Sequence, residues 1–240
     1  MAVKFHIGTS GWFYNHWLDR FYPVNIPKSK WFEHYCENFT TVELNSPFYR
    51  MPKETTVKGW IRNAPDDFLY SIKANRTITH LKRLKNAKDI ALSFIDTLSL
   101  LGSKLGVVLF QLPPSMKKDI VLLSDFLFIL PDGIRWTVEF RNKSWFSDDV
   151  YEILKNKNAS FCSVSYPDLP EIIIKTTDFI YLRMHGIEER YASYYSTDEI
   201  KMWLSKIIES NPKEAFIYFN NDYNGYAVRN ALEMIELISN

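Results

Sequence analysis

The chain has 240 residues, of which 46% are hydrophobic, 24% are charged and 16% are aromatic. These proportions are typical of a globular protein, and the length suits a single domain with a large core. The formal net charge of +1 excludes a global electrostatic field that would attract nucleic acid or a membrane surface.

No apolar run approaches the roughly 20 residues that a membrane helix needs, so we expect no membrane partner. The first residues, Met1–Phe5, lead directly into a strand pattern and lack the apolar segment of a signal peptide. The two cysteines, Cys36 and Cys162, have neither metal-binding nor redox spacing. We therefore expect a cytoplasmic protein without disulfides.

Eight short β-rich runs are predicted as strands, and helical stretches separate most of them. Most of these runs lack a strict polar alternation, which is typical of strands that are covered on both faces. In chain order they are Lys4–Gly8, Thr41–Leu44, Leu69–Lys73, Val107–Gln111, Trp136–Phe140, Ser160–Val164, Phe179–Met184 and Ala215–Phe219.

The helices between the strands carry stripes of apolar residues at helical spacing. A helix is predicted over Lys28–Phe39, where an aromatic residue recurs every fourth position, and another after Asp89 that stops at Gly102. Ser147 precedes two aspartates that suit the positive end of a helix. Ser196 and Glu199 have the spacing of a capping box.

The last helix is predicted from about Gly225 to the end of the chain. Only the sixth unit is irregular, because Tyr166–Thr177 holds two prolines and a short apolar run. Alternating strands and helices imply parallel strands joined by right-handed crossovers. Eight repeats predict an α/β fold with a single (β/α)8 TIM-type barrel over residues 1–240, irregular around the sixth unit.

Polar residues are concentrated at the predicted strand ends, where barrels of this kind hold their active sites. Charged groups beside apolar strands are costly unless they are paired or face a wet cavity, so their accumulation predicts a pocket. The candidate catalytic residues are Glu43, Glu139, His185 and Lys73. The candidate substrate-binding residues are Trp12, Tyr14, Asn45, Tyr49, Gln111, Arg141, Trp145, Arg183, Asn220 and Asn221.

Several of these motifs resemble the YecE-like family, which is also called domain of unknown function 72. They are Gly8–Trp12, Thr41–Arg50, Phe110–Pro114, Val138–Arg141 with Ser144–Phe146, Arg183–Gly186 and Tyr218–Asn221. The resemblance covers nearly the whole chain and implies a β/α barrel, but it supplies no reaction. The family often has an aspartate after strand six, whereas this chain has Val164–Pro167, so a mechanism that needs that carboxylate is not expected here.

Our first hypothesis is an enzyme that binds a small anionic, ring-bearing substrate such as a phosphosugar or a nucleotide-like compound. Arginine and lysine side chains would hold the anion, and Asn220 and Asn221 would assist them. Trp12, Tyr14, Tyr49 and Trp145 would stack on the ring, or else pack the loops. Glu43 or Glu139 would act as general base and His185 as its acid partner.

Four alternatives stay open at this level. The charged residues could form a structural ion-pair network. Glu43 and Glu139 could instead hydrolyse a glycoside, an alternative that is less favoured because nearby cations would pair with both carboxylates. No organic cofactor is expected. A divalent metal on Glu43, Glu139, His185 and Asp222 is less favoured, as is a Schiff base at Lys73.

The alternative from a different class is a nucleic-acid-binding module. The segment Thr79–Lys85, with Lys88 beyond it, is a basic patch that could line a groove for a single strand together with nearby aromatics. A solvated surface is the simpler interpretation, given the net charge of +1. The remaining histidines, His6, His16 and His34, are interpreted as structural.

Overall fold

A computed structural model describes residues 3–187 and 191–239. All eight predicted strands are confirmed, and their ends differ from the prediction by no more than two residues. The strands belong to one sheet with the order β1-β8-β7-β6-β5-β4-β3-β2. Their bounds are Lys4–Thr9 (β1), Thr41–Leu44 (β2), Leu69–Lys73 (β3), Leu105–Gln111 (β4), Arg135–Glu139 (β5), Ala159–Ser165 (β6), Phe179–Met184 (β7) and Glu214–Phe219 (β8).

The helices follow the strands as predicted, and three of them had no prediction: α2, α3 and α5. The α-helical bounds are Trp31–Asn38 (α1), Ser46–Tyr49 (α2), Glu54–Asn63 (α3), Lys88–Ser99 (α4), Ile120–Phe128 (α5), Asp148–Asn156 (α6), Thr197–Glu209 (α7) and Tyr226–Ser239 (α8). Short 3-10 turns lie at Asn15–Trp17, Lys28–Lys30, Gly102–Lys104, Lys143–Trp145 and Tyr223–Gly225, and a π-helical turn covers Thr77–Leu81.

The helix ends test two predictions about capping. Ser196 accepts a hydrogen bond from the backbone N–H of Glu199, whose side chain accepts from the backbone of Ser196, so the predicted capping box at α7 is confirmed. Ser147 precedes α6 as predicted, but its side chain makes no cap bond and donates to Asp149 instead. Residues 166–178 contain no helix, in agreement with the predicted irregularity of the sixth unit.

The chain divides into two compact units by its internal contacts, Met1–Glu43 with Ser163–Asn240, and Leu44–Cys162. We call these the first unit and the second unit. That the whole chain is one domain stays a prediction. In the first unit β8 pairs in parallel with β1 and with β7, so that Phe219 lies in register with Thr9 on one side and Met184 on the other.

In the second unit β4 pairs in parallel with β3 and β5, and β5 pairs with the first half of β6. The register aligns Gln111 with Glu139 at the carboxyl ends of β4 and β5. A register irregularity lies between Tyr70 and Ile72 in β3. No helix in the described parts of the chain is long and apolar enough to cross a membrane.

Candidate functional site at the strand ends

Glu43, at the end of β2, is the centre of a buried polar cluster in the first unit. Its Oε1 atom accepts hydrogen bonds from Ser10 Oγ and Arg183 Nη2, both at 2.7 Å, and its Oε2 atom accepts one from the hydroxyl of Tyr181 at 2.8 Å. The side chains of Glu43 and Arg183 are 0% and 1% exposed. A parallel bridge between Ser10 and Glu43 fixes the backbone of the same cluster.

This cluster has the character of a structural ion pair. Burial and the charge of Glu43 raise the pKa of Tyr181, so its hydroxyl stays protonated and donates. The guanidinium of Arg183, predicted to hold a substrate anion, instead binds a carboxylate inside the protein, because a buried cation needs an opposite charge. Pairing of this carboxylate with a cation was one of the alternatives left open by the sequence, and the structure shows it.

His185, at the end of β7, is fully buried in the first unit. Its Nδ1 atom lies 3.1 Å from the side-chain nitrogen of Asn220, and its ring lies edge-on to Tyr166 and Tyr191. Because the amide nitrogen of Asn220 donates, Nδ1 accepts, and the neutral imidazole carries its proton on Nε2. The structure thus brings together two of the predicted residues, His185 and Asn220.

The other predicted residues of the first unit are engaged in packing or hydrogen bonds. The side chain of Asn221, fully buried, donates to the carbonyl of Ser193 and to the side chain of Asn230. Trp12 is half-buried against Phe32, and the hydroxyl of Tyr14 donates to the carbonyl of Ser10 at 2.5 Å. Trp12 and Tyr14 both lie in the loop that follows β1.

The second unit has its own polar cluster, at the ends of β3, β4 and β5. Oε1 of the fully buried Glu139 accepts a hydrogen bond from Gln111 Nε2 at 2.9 Å and another from Arg141 Nε. The side chain of Arg141 is 7% exposed. This carboxylate, too, has a cationic partner, as in the ion-pair alternative from the sequence.

Lys73, at the end of β3, lies beside two rings that the sequence analysis did not select. Its Nζ atom is 4.1 Å from the centroid of the Phe48 ring, and the ring of His80 meets Phe48 edge-on. Burial and the positive charges of Lys73 and Arg76 lower the pKa of His80 to about 4. Glu139 raises this pKa and Arg141 lowers it further, so both groups belong to the same electrostatic environment.

We call Phe48, Lys73, Arg76, His80, Glu139 and Arg141 the cationic cluster. It holds two arginines, one lysine, one carboxylate and an imidazole that is neutral at pH 7. Only Lys73, Glu139 and Arg141 were predicted site residues. His80 and Arg76 were missed because the π-helical turn after β3, which carries His80, has no local sequence signature, although His80 lies within the basic segment that was noted.

The remaining predicted residues of the second unit have contrasting environments. Tyr49 is 72% exposed beside Phe48, with 5.0 Å between the ring centroids. Trp145, in contrast, is fully buried, stacks on Phe140 and donates its indole N–H to the carbonyl of Met116. The expectation that Trp145 stacks on a ligand is therefore corrected: its ring packs in the core. Asn45 is half-buried.

The metal site and the nucleic-acid-binding groove, two alternatives from the sequence, gain no support. In the described ranges, 3–187 and 191–239, no three His, Cys, Asp or Glu side chains form a group that could hold a metal ion. In the basic segment, Lys82, Arg83, Lys85 and Lys88 are exposed, while Leu84 is buried. This is the pattern of a solvated turn anchored by one apolar side chain.

Comparisons with known proteins agree on family and fold. The family model described as "Protein of unknown function DUF72" matches residues 6–240. The UPF0759 protein YunF of Bacillus subtilis is 28% identical over 97% of this chain and 94% of its own length. The UPF0759 protein YecE of Escherichia coli is 30% identical over 52% of this chain and 46% of its own length.

Two crystal structures of DUF72 family proteins are similar to this chain. The protein from Thermotoga maritima superimposes with a TM-score of 0.90 at 29% identity, covering 99% of this chain and 100% of that one. The protein from Enterococcus faecalis has a TM-score of 0.83 at 19% identity, covering 98% and 96% of the two chains, and this likeness shows the fold alone. The predicted fold, a (β/α)8 TIM-type barrel, is confirmed.

Proposed function

The chain belongs to the DUF72 family of β/α barrels, and on that premise we propose that it is an enzyme for a small anionic, ring-bearing molecule. The molecule would be a phosphosugar or a nucleotide-like compound, bound at the carboxyl ends of β3, β4 and β5. The observation that carries the proposal is the convergence of Lys73, Arg76 and Arg141, whose positive charges together lower the pKa of His80. A barrel of this class holds its substrates at the strand ends, which supports the same location.

The charges of the cationic cluster favour an anionic ligand. Lys73, Arg76 and Arg141 supply three positive charges, Glu139 supplies one negative charge, and neutral His80 supplies none. The cationic side chains of the cluster therefore outnumber its carboxylates by two. A phosphate dianion would balance this difference, and charge-assisted hydrogen bonds to a phosphate are about twice as strong as neutral ones.

The aromatic residues around the cluster favour a ligand that contains a ring. Phe48 contacts both Lys73 and His80, while Tyr49 exposes most of its ring next to Phe48. A nucleobase, or the C–H face of a sugar ring, placed against Tyr49 would bury apolar surface beside the cations. Tyr49 is thus the predicted ring-stacking residue that this proposal retains in the second unit.

The proposed acid–base chemistry depends on which carboxylate is not already saturated with donors. Glu139 is the carboxylate of the cationic cluster and remains the proposed base, whereas Glu43 is held by three donors in its own cluster. His185 stays a predicted acid. The cytoplasmic location expected from the cysteine usage belongs to the same proposal.

Binding of adenosine monophosphate and of inorganic phosphate, measured by calorimetry, tests the proposal. Lys73→Met should weaken both by at least about tenfold, since one charge-assisted contact contributes roughly 1.5–3 kcal/mol. Glu139→Gln should tighten both, because the change removes the one negative charge of the cluster while an amide oxygen can still accept from Arg141.

Lys118→Met is the matched control, because that lysine also lies in the second unit but pairs with Asp149 at 2.8 Å. Its affinity for both probes should equal that of the wild type. Failure of the wild type to bind either probe, or an equal loss in Lys73→Met and Lys118→Met, would contradict the proposal.

A further inference from the structure

His16 and Asp222 form a hydrogen-bonded pair in the first unit that the proposed anion site does not include. Nε2 of His16 lies 2.8 Å from Oδ2 of Asp222, and the indole N–H of Trp17 donates to Oδ1 of the same carboxylate at 2.8 Å. His16 lies in the 3-10 turn that follows β1, and Asp222 follows β8 by three residues. Both therefore come from segments after the carboxyl end of a strand.

The pair is shielded at the aspartate and open at the histidine. The side chain of Asp222 is 15% exposed, while that of His16 is 41% exposed. Burial raises the pKa of Asp222, and the hydrogen bond from Trp17 and the interaction with His16 oppose that increase. Two donors therefore hold the carboxylate in place. The side of the imidazole that does not contact Asp222 is the more exposed part of the pair.

The hydrogen bond to Asp222 also determines the tautomer of His16. A carboxylate only accepts hydrogen bonds, so the proton of the neutral imidazole must lie on Nε2, and Nδ1 keeps its lone pair. Within the described residues, Nδ1 of His16 has no hydrogen-bond partner. An imidazole oriented by an aspartate with its second nitrogen unoccupied is the arrangement that activates a general base.

The other histidines have different environments. Nε2 of His34 contacts the carbonyl of Phe21, and its Nδ1 contacts Glu37. His185 is fully buried and its Nδ1 accepts from Asn220, while His80 pairs with Thr79. Nε2 of His6 also lies 3.0 Å from a carboxylate, that of Glu214, but His6 is 4% exposed and stacks on Phe216. An exposed ring with a carboxylate on one nitrogen and an available lone pair on the other is found at His16.

We propose that His16 and Asp222 form a catalytic acid–base dyad in which Nδ1 of His16 removes a proton from water or from a hydroxyl group of a small substrate. Asp222 is the positioning residue, since it holds the tautomer and stabilises the imidazolium that forms. Trp17 orients the carboxylate. The inference depends only on contacts of the first unit and is independent of anion binding by the cationic cluster.

The same lone pair makes His16 a nucleophile towards an activated ester, which provides an assay without the natural substrate. With p-nitrophenyl acetate as probe, Nδ1 bonds to the acetyl carbon, and p-nitrophenolate leaves with the electron pair of the broken C–O bond. Water then adds to the acetylimidazolium, the C–N bond breaks, and acetate and two protons are released, which restores the neutral imidazole. The release of p-nitrophenolate is followed by its absorbance.

His16→Gln should lower the rate of p-nitrophenolate release at least about tenfold, which is a conservative threshold beside the roughly 10²–10⁴-fold that a positioned acid–base group contributes. Asp222→Asn should lower it by a similar factor. The new amide N–H would donate to Nε2, which moves the imidazole proton to Nδ1 and occupies the reactive lone pair. Both changes lie at a partly exposed pair, and thermal unfolding establishes that each variant is folded.

His34→Gln is the matched control, because both ring nitrogens of His34 already have partners, and its rate should equal that of the wild type. The proposal is overturned if His16→Gln keeps the wild-type rate, or if His34→Gln loses as much as His16→Gln. It is also overturned if folded Asp222→Asn reacts as fast as the wild type. Binding of phosphate should be unchanged in His16→Gln, which separates this result from a failure of the anion site.

Discussion

Arg183 and Glu43 form an ion pair, with 2.7 Å between Nη2 and Oε1, in which neither side chain is more than 1% exposed. Ser10 and Tyr181 donate to the same carboxylate, so both of its oxygens are occupied. This arrangement explains how charged residues can lie at the ends of apolar strands without a ligand. It gives the pair a role in stability, whatever the protein binds.

Removing one member of this pair should strongly destabilise the protein. Arg183→Met leaves the carboxylate of Glu43 buried without its cation, and such changes cost about 3–5 kcal/mol. The free energy of unfolding in urea measures the effect. Arg183→Met combined with Glu43→Gln should be more stable than Arg183→Met alone, because the uncompensated charge is gone while an oxygen still accepts from Ser10. A cost below about 1 kcal/mol for Arg183→Met would argue against this role.

The imidazole of His80 should titrate with a pKa of about 4, well below its ordinary value of 6.5, when its ring protons are followed by NMR. Between these two values the unfolded chain binds more protons than the folded chain. The contribution of His80 to stability is therefore present above pH 6.5 and is lost as the pH falls towards 4.

Lys73→Met should raise the pKa of His80, because Lys73 is the strongest of the charges that lower it. Lys118→Met should leave the titration unchanged, since Lys118 is bound to Asp149. Added phosphate should also raise the pKa of His80 if it binds in the cationic cluster. Equal titrations of the wild type and Lys73→Met would contradict the proposed electrostatics.

Gly8→Ala should destabilise the chain, because a Cβ atom at this position in β1 would lie 2.3 Å from the carbonyl oxygen of Thr41. Backbone cannot move aside as a flexible side chain can, so we expect a cost of about 1–3 kcal/mol in urea unfolding. Gly59→Ala is the control with the opposite sign. A Cβ at Gly59, inside α3, meets nothing within 4 Å, and alanine should stabilise the helix by roughly 0.5–1 kcal/mol.

Ser196→Ala should cost about 1 kcal/mol, since it removes the side-chain acceptor of the α7 capping box. Ser147→Ala should cost less, because Ser147 precedes α6 without making a cap bond. Urea unfolding of the two variants provides the comparison. A larger loss of unfolding free energy in Ser147→Ala than in Ser196→Ala would contradict the conclusion that only Ser196 caps its helix.

The sequence by itself determined the strands, the fold class and part of the capping. The runs that became β2, β3 and β7 were predicted with their observed bounds, because a buried parallel strand needs a continuous apolar segment bounded by polar residues. The capping box of Ser196 and Glu199 was equally readable, since its two hydrogen bonds join residues three positions apart. These features depend on neighbours along the chain.

Only the tertiary structure decided what the polar strand ends do. Sequence placed Glu43 and Arg183 at strand ends, but a pair separated by 140 positions was not predictable as a sealed contact. The pairing of His16 with Asp222 joins residues 206 positions apart, and the low pKa of His80 arises from charges on several elements. Burial and the charges around a side chain depend on which segments meet in space, and no local sequence pattern encodes contacts between such distant segments.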